Sequence, residues 1–175
     1  AFFAGLRTYV AENENRGVVT ADFRRAMEKS SGRKLGWFFD QWLHGPGFPE
    51  FRVSWKWNER EQQVTLRVDQ TQTTNRNTPS AFRTPVDVEV RDDRGTTVHR
   101  LDISERTHEF RLPSHGRPTW VRFDKFGWIP KQLESIKQPS EWLAILASDD
   151  DVGGRMDAAA AIGELAAGER DFERR

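Results

Sequence analysis

Four histidines are the residues of this sequence best suited to hold a metal ion or to move protons. They are His44, His99, His108 and His115. No two of them stand one helical turn apart, the spacing that places two imidazoles on one zinc ion. Residues 108–112, "HEFRL", begin like the zinc-peptidase motif His-Glu-x-x-His, but Leu112 replaces the second histidine and the alternating pattern predicts a strand. The sequence therefore predicts no metal ligand and no catalytic residue, and it leaves substrate-binding residues unknown.

Three successive aspartates, Asp149 to Asp151, offer the hard oxygen ligands that calcium and magnesium prefer. The spacing of an EF-hand loop is absent from this segment, and a helical pattern follows it directly. We therefore expect a solvated loop whose last aspartate, Asp151, caps the next helix. The sequence also contains neither a Gly-x-Ser-x-Gly elbow nor a glycine-rich phosphate loop.

Trp55 and Trp57 stand two residues apart, which places them on one face of a predicted strand. Such a pair can form a stacking platform for a sugar ring or a base. Phe51 and Val53 share that face, and four successive apolar positions are typical of the core side of a β-sandwich. The pattern favours burial in a core, with a ligand platform and an interface between domains as the alternatives.

The elements that must position these residues change type along the chain. Apolar residues at helical spacing predict a helix over 1–12, a second from its cap at Thr20 to Gly32, and a third over 35–43. From residue 50 the apolar period changes to two, which predicts about six or seven short strands up to residue 123. Helices are predicted again from Pro139 and over 152–167.

This order predicts an α+β multidomain fragment with three parts. They are a helical segment over 1–47, an antiparallel β-sandwich over 48–135, and the start of a HEAT-like helical repeat region over 136–175. The chain opens without methionine inside a helical pattern and ends just after another helix, so we expect it to be an excerpt of a longer protein.

Four large aromatic side chains lie close together in "SGRKLGWFFDQWLHGPG", residues 31–47. They are Trp37, Phe38, Phe39 and Trp42. They cover more than one face of a short helix, so we expect contacts on more than one side, as at a seam between two domains. The charged residues Arg33, Lys34 and Asp40 argue against membrane insertion.

The composition excludes some classes of partner. Lysine plus arginine and aspartate plus glutamate number 27 each, which disfavours sequence-independent binding to nucleic acid. No apolar run approaches the roughly 20 residues that cross a bilayer, and there is no cysteine for a disulfide. We expect a soluble protein, with the cytoplasm slightly favoured.

Three stretches of the sequence resemble the aminopeptidase N family of zinc metallopeptidases. They are "FFAGLRTYV", "VVTADFRRAMEKSSGRKLGWFFDQWLHGPGFPEF" and "VSWKW" with "VTLRVDQTQ". The resemblance is strongest over residues 2–72. It implies that 1–47 are the last helices of a thermolysin-like catalytic domain, followed by the sandwich and by the first helices of a repeat domain. It also implies a parent enzyme that uses zinc to remove N-terminal amino acids from peptide substrates.

The catalytic motifs of that family have no counterpart in this sequence. The zinc motif, the segment that recognises the amino end of a peptide and the tyrosine that stabilises the tetrahedral intermediate are all unmatched. Tyr9 is the one tyrosine, and its place on an apolar helical stripe indicates packing. The resemblance therefore implies a scaffold portion that is inactive and holds no cofactor by itself. A noncatalytic interaction scaffold of the same architecture and a carbohydrate-binding sandwich are the alternative hypotheses.

Overall fold

A computed structural model describes residues 1–74 and 78–173, with side chains described up to residue 167. The chain forms two compact units. The first contains residues 1–47, and the second begins at Phe48 and includes both sheets and the last two helices. No helix within the described residues is both long enough and apolar enough to cross a membrane.

The first unit is helical. It contains α1 (Phe2–Asn13), α2 (Thr20–Ser31) and α3 (Gly36–Phe39), which continues into a π-helical turn (Asp40–His44). Gly5 is buried in α1 against the side chain of Met27, and the missing Cβ lets α1 and α2 approach closely. Gly32 ends α2 in the left-handed conformation, with φ of 66°, as the sequence predicts.

Two expectations for the first unit need correction. Thr20 is not the cap of α2, because the N-cap is Val19, whose N–H donates to the carboxylate of Asp22 at 2.9 Å. The third helix is not a single α-helix, because it widens into the π-helical turn. Gly45, which the following Pro46 restricts to extended backbone, then ends it with φ of −81° and ψ of 143°.

Within the part of the chain that the structure describes, the second unit contains seven strands in two sheets. They are β1 (Glu50–Asn58), β2 (Gln63–Gln70), β3 (Thr84–Asp92), β4 (Gly95–Ile103), β5 (Thr107–Pro113), β6 (Trp120–Phe123) and β7 (Gln132–Ser135). One sheet has the order β5-β2-β1-β7 and the other has the order β4-β3-β6. All pairs are antiparallel except β1 with β7, which is parallel. The purely antiparallel sandwich that the sequence predicts is therefore wrong in this one pair.

Alternation along the strands builds one core between the two sheets. Its buried side chains come from both sheets: Phe51, Val53, Val64, Leu66, Val68, Val86, Val88, Val90, Ile103, Leu112, Val121 and Phe123. The rings of Phe51 and Phe123, one from each sheet, lie 5.1 Å apart between centroids. Fully burying each such side chain contributes about 2 kcal/mol.

Two helices follow the strands, α4 (Pro139–Ser148) and α5 (Val152–Glu173). Pro139 begins α4, as expected, because a proline at the first helical position loses no hydrogen bond. A second cluster of Trp120, Ile145 and Ala158 joins β6 to both helices, with the half-buried Trp142 beside it. The assignment of these helices to a HEAT-like repeat region, and of 1–47 to a catalytic domain, stays a prediction.

Candidate functional site

The predicted strand at "HEFRL" is present, and His108 has a structural role in it. In β5, its Nε2 atom accepts the backbone N–H groups of Ser104 and Glu105 at 3.1 and 3.0 Å. Its ring stacks on Phe110 with centroids 5.1 Å apart. Within residues 1–74 and 78–173, no three histidine or acidic side chains lie close enough to hold a metal ion. The described residues therefore do not fit the zinc that the resemblance implies for the parent.

The aromatic segment contributes to an apolar groove in the first unit. Phe39 is buried, and its ring packs edge-on against Phe23, which packs in the same way against Tyr9. Tyr9 is thus a packing residue. Phe38 and Leu43 are exposed by 46% and 57%. The groove encloses about 730 Å³ and is lined by Tyr9, Val18, Val19, Thr20, Phe23, Phe38, Phe39, Trp42 and Leu43.

The tryptophan pair on β1 packs against the sandwich core. Trp55 and Trp57 are both half-buried beside the core cluster. The indole N–H of Trp55 donates to both carboxylate oxygens of Glu141, at 3.0 and 3.1 Å. The geometry supports the core interpretation, because the ring lies against the core and its polar atom is already bound.

Glu141 and Lys137 together close the free edge of β6. Glu141 accepts the backbone N–H of Val121 at 3.0 Å, and the ammonium group of Lys137 donates to the carbonyl of the same residue. Lys137 and Glu141 also form an ion pair at 2.6 Å, with their side chains exposed by only 6% and 5%. The two side chains take the positions at which the backbone of a neighbouring strand would bind.

Burial of this ion pair has an electrostatic cost. Burial lowers the pKa of Lys137 below its ordinary value, although the adjacent Glu141 carboxylate opposes that shift. A buried charge is tolerated where it is paired and its remaining hydrogen bonds are made, and both conditions hold here. The pair therefore connects the start of α4 to β6.

The aspartate run does not form the solvated loop that the sequence predicts. Arg122, which is buried on β6, binds Asp149 through one guanidinium nitrogen and Asp151 through the other at 2.8 Å. Asp149 is only 3% exposed. Asp150 is exposed, and it pairs with Lys125 at 2.6 Å. The prediction of solvation is wrong for Asp149 because the sequence does not reveal the arginine that faces it.

The predicted cap at Asp151 is confirmed. Its carboxylate accepts the backbone N–H of Gly153 at 3.0 Å, in the first turn of α5. Burial alone would raise the pKa of Asp151, but the hydrogen bonds from Gly153 and Arg122 outweigh it and hold that pKa below its ordinary value. Asp151 therefore serves both as a helix cap and as an ion-pair partner.

Gly154 allows α5 to pass directly over this ion pair. A Cβ atom at this position would overlap the guanidinium group of Arg122 and the carboxylate of Asp149. Sequence reasoning missed this contact and also missed Lys137 and Glu141. The signals were the four-residue spacing of lysine and glutamate and an arginine inside the otherwise apolar strand "WVRF".

A cavity of about 180 Å³ adjoins these ion pairs. Its lining includes the cations Arg122, Lys131 and Lys137. Each of them is bound to a carboxylate of the second unit, as in the 2.5 Å contact between Lys131 and Asp124. The cavity therefore presents no unpaired cation to a ligand, and the cluster is a structural junction.

Residues 46–141, which contain the whole sandwich, match the family model described as the TAF2 Ig-like domain. The chain belongs to this family. The Ig-like domain thus begins in the Gly-Pro-Gly corner after the π-helical turn and ends in the first turn of α4, at Glu141.

Two curated proteins are similar to the chain that contains this Ig-like domain. Aminopeptidase N of Haemophilus influenzae is 26% identical over 171 residues, covering 90% of this chain and 19% of that protein. Transcription initiation factor TFIID subunit 2 of Schizosaccharomyces pombe is 37% identical over 56 residues, covering 32% of this chain and 5% of that protein. The chain therefore spans a fifth or less of either relative.

A solved structure extends the similarity beyond the Ig-like domain. The crystal structure of Legionella pneumophila aminopeptidase A in complex with aspartic acid matches with a TM-score of 0.76 and 20% identity. The match covers 96% of this chain and 19% of that one. The chain thus has an aminopeptidase-like fold, as the resemblance in its sequence implies.

Proposed function

We propose that this chain is the scaffold portion of a zinc aminopeptidase that removes N-terminal amino acids from peptides. The observation that carries the proposal is the extent of the structural similarity to aminopeptidase A, which spans 96% of the chain. It includes the helices before the Ig-like domain and those after it. The similarity to aminopeptidase N, over 90% of the chain, supports the same assignment.

In this proposal the chain contributes architecture and no catalytic step. Residues 1–47 are the closing helices of the catalytic domain, and residues 136–175 begin a HEAT-like repeat domain. Trp37, Phe38, Phe39 and Trp42 pack against the remainder of the catalytic domain. The 46% exposure of Phe38 and the apolar groove beside it support such a contact, because apolar surface of this kind is typical of an interface. Zinc binds to residues of the parent that lie outside this chain.

Zinc binding and peptidase activity of the purified chain test this proposal. Equilibrium dialysis should find no stoichiometric zinc, because the described residues contain no suitable ligand cluster. Assays with aminoacyl arylamides and added zinc should detect no hydrolysis. Zinc-dependent turnover by the chain alone would contradict the scaffold role.

A second candidate is a noncatalytic interaction scaffold of the same architecture. The match of residues 46–141 to the TAF2 Ig-like domain and the similarity to TFIID subunit 2 favour it. A fold of this kind can be retained after its chemistry is lost. An intact His-Glu-x-x-His motif in the whole gene product would support the peptidase, whereas its loss would support the interaction scaffold.

A further inference from the structure

The sheet β4-β3-β6 has one edge that is covered by side chains and one edge that is open. The edge at β6 is closed by Lys137 and Glu141, which bind the carbonyl and the N–H of Val121. The opposite edge is β4, a nine-residue strand that pairs with β3 alone among the described strands. One edge of the sheet is therefore sealed and the other is open.

Strand β4 lacks several of the features that usually protect an edge. It contains no proline and no lysine, and its pairing with β3 runs without a bulge from Thr84 opposite Ile103 to Asp92 opposite Gly95. The other edge strands are shorter: β6 and β7 have four residues each, and β5 has seven and ends at Pro113. A long, regular edge with free backbone groups is a template for a further strand.

Charged side chains of β4 form ion pairs with neighbouring residues beside this edge. Arg100 on β4 binds Asp87 on β3 at 2.9 Å, and Asp102 on β4 lies 3.8 Å from Arg83. The side chains of Arg100 and Asp102 are each 64% exposed. Val98, two residues before Arg100, is 59% exposed. An added strand would extend this row of ion pairs by placing an acidic side chain opposite Arg100 and a basic side chain opposite Asp102.

We propose that β4 binds an extended peptide segment of a partner protein as an added antiparallel strand. The segment carries a basic residue, an acidic residue two positions later, and a β-branched residue two positions after that. These residues lie opposite Asp102, Arg100 and Val98 respectively. Backbone hydrogen bonds supply the affinity, and the charge order supplies the register and direction.

The charge order favours such a segment over a second copy of this chain. In a full-length antiparallel pairing of β4 with itself, Gly95 lies opposite Ile103. That register places Arg100 opposite Val98 and Asp102 opposite Thr96. Neither charge then meets its opposite. A shifted register that places Arg100 opposite Asp102 of the second copy satisfies both charges, but it pairs only residues 99–103 of the nine-residue strand. A separate segment can pair along the whole strand and also meet both charges, so it fits this edge better than a second copy.

A designed peptide tests the proposal on the chain as it exists. The probe is a nine-residue acetylated and amidated threonine peptide with lysine at its third position, glutamate at its fifth and valine at its seventh. Binding is followed by amide chemical shifts and hydrogen exchange of the chain. Two control peptides are used. In one, lysine and glutamate exchange positions. In the other, the alternate backbone nitrogens that would donate hydrogen bonds to β4 are methylated.

We expect the probe to shift and protect amides of β4, and the N-methylated peptide to lose this effect. Exchanging lysine and glutamate should weaken binding by about threefold or more, because two cross-strand charge pairs become repulsive. The double variant Arg100→Glu, Asp102→Lys should reverse the preference between the two charged peptides. The matched double variant Arg52→Glu, Glu134→Lys, at an exposed ion pair of the other sheet, should leave it unchanged.

Three results would overturn the proposal. The first is the absence of any β4 response at millimolar peptide. The second is binding that is insensitive to N-methylation or to charge order. The third is self-association of the chain through β4, detected by analytical ultracentrifugation and reversed by Arg100→Glu, which would assign this edge to a second copy.

Discussion

Individual residues at the junction of β6 and α5 leave little room for substitution. Gly154 faces the buried pair of Arg122 and Asp149, and any side chain there must displace a charged group from its partner. Overpacking of a filled interior costs about 1–3 kcal/mol, and separating a buried ion pair adds to that cost.

We predict that Gly154→Ala lowers the free energy of unfolding by about 3 kcal/mol. Gly163→Ala, in the same helix, is the matched control, since Gly163 has open space around its Cβ position. Alanine is the better helix former, so the control should stabilise the chain by up to about 1 kcal/mol. Both values follow from chemical denaturation, and equal effects of the two substitutions would show that the contact at Gly154 is unimportant.

His99 should make stability depend on pH. Its Nε2 atom is buried with no hydrogen-bond partner among the described residues. Burial lowers the pKa of His99 below 6.5, although a hydrogen bond with the carbonyl of Pro113 opposes the shift. The unfolded chain therefore takes up the proton more readily than the folded chain. The stability that neutral His99 contributes is fully present above about pH 6.5. It should be lost as the pH falls from that value through the pKa of His99 in the folded state.

Measuring the free energy of unfolding between pH 7.5 and 5 tests this dependence. The slope should largely disappear in His99→Gln, which removes the titrating group. It should persist in His44→Gln, which alters an exposed histidine of the first unit. A slope that survives His99→Gln would assign the pH dependence to another group.

At the scale of elements, the edge of β6 depends on two side chains from the segment that begins α4. Lys137→Met removes the cation and leaves the Glu141 carboxylate buried beside Val121. We expect a loss of about 3–4 kcal/mol, the usual cost of removing one member of a buried ion pair. Lys56→Met, at an exposed position on β1, should change stability by less than about 0.5 kcal/mol. Thermal or chemical unfolding measures the free energy of unfolding of both variants. A loss below about 1 kcal/mol for Lys137→Met would show that this ion pair does not stabilise the edge of β6.

Much of this architecture could be predicted from the sequence, because local periodicity determines which face of an element is buried. Strands β1 to β3 were identifiable from alternating apolar residues, β4 to β6 from shorter stretches between turn residues, and α2 from its apolar face and Gly32. β7 could not be found in this way, because Gln132, Leu133 and Glu134 are all exposed and show no alternation. Its place is determined by parallel pairing with β1, which is a long-range contact.

The buried ion pairs could not be predicted for a similar reason. Arg122 and Asp149 are 27 residues apart in the chain, and nothing local indicates that they meet. Charged side chains are usually exposed to solvent, and the expectation of a solvated loop at Asp149 rests on that tendency. Only the fold, which brings α5 across β6, reveals that this charge is buried.

At the scale of the whole molecule, we propose that an aminopeptidase-like scaffold serves an enzyme whose zinc and catalytic residues lie outside this chain. The aminopeptidase-like fold and the sequence similarity to aminopeptidase N over 90% of the chain support this proposal. In the same proposal, the apolar groove of the first unit packs against the rest of the catalytic domain.

Hydrolysis of aminoacyl arylamides by the complete gene product, measured with zinc and after chelation, is the decisive test of this proposal. We expect zinc-dependent release of the N-terminal amino acid by the complete product, and none by this chain under the same conditions. A complete product that is well folded and zinc-loaded but inactive across a panel of N-terminal residues would contradict the enzymatic assignment and favour the noncatalytic scaffold.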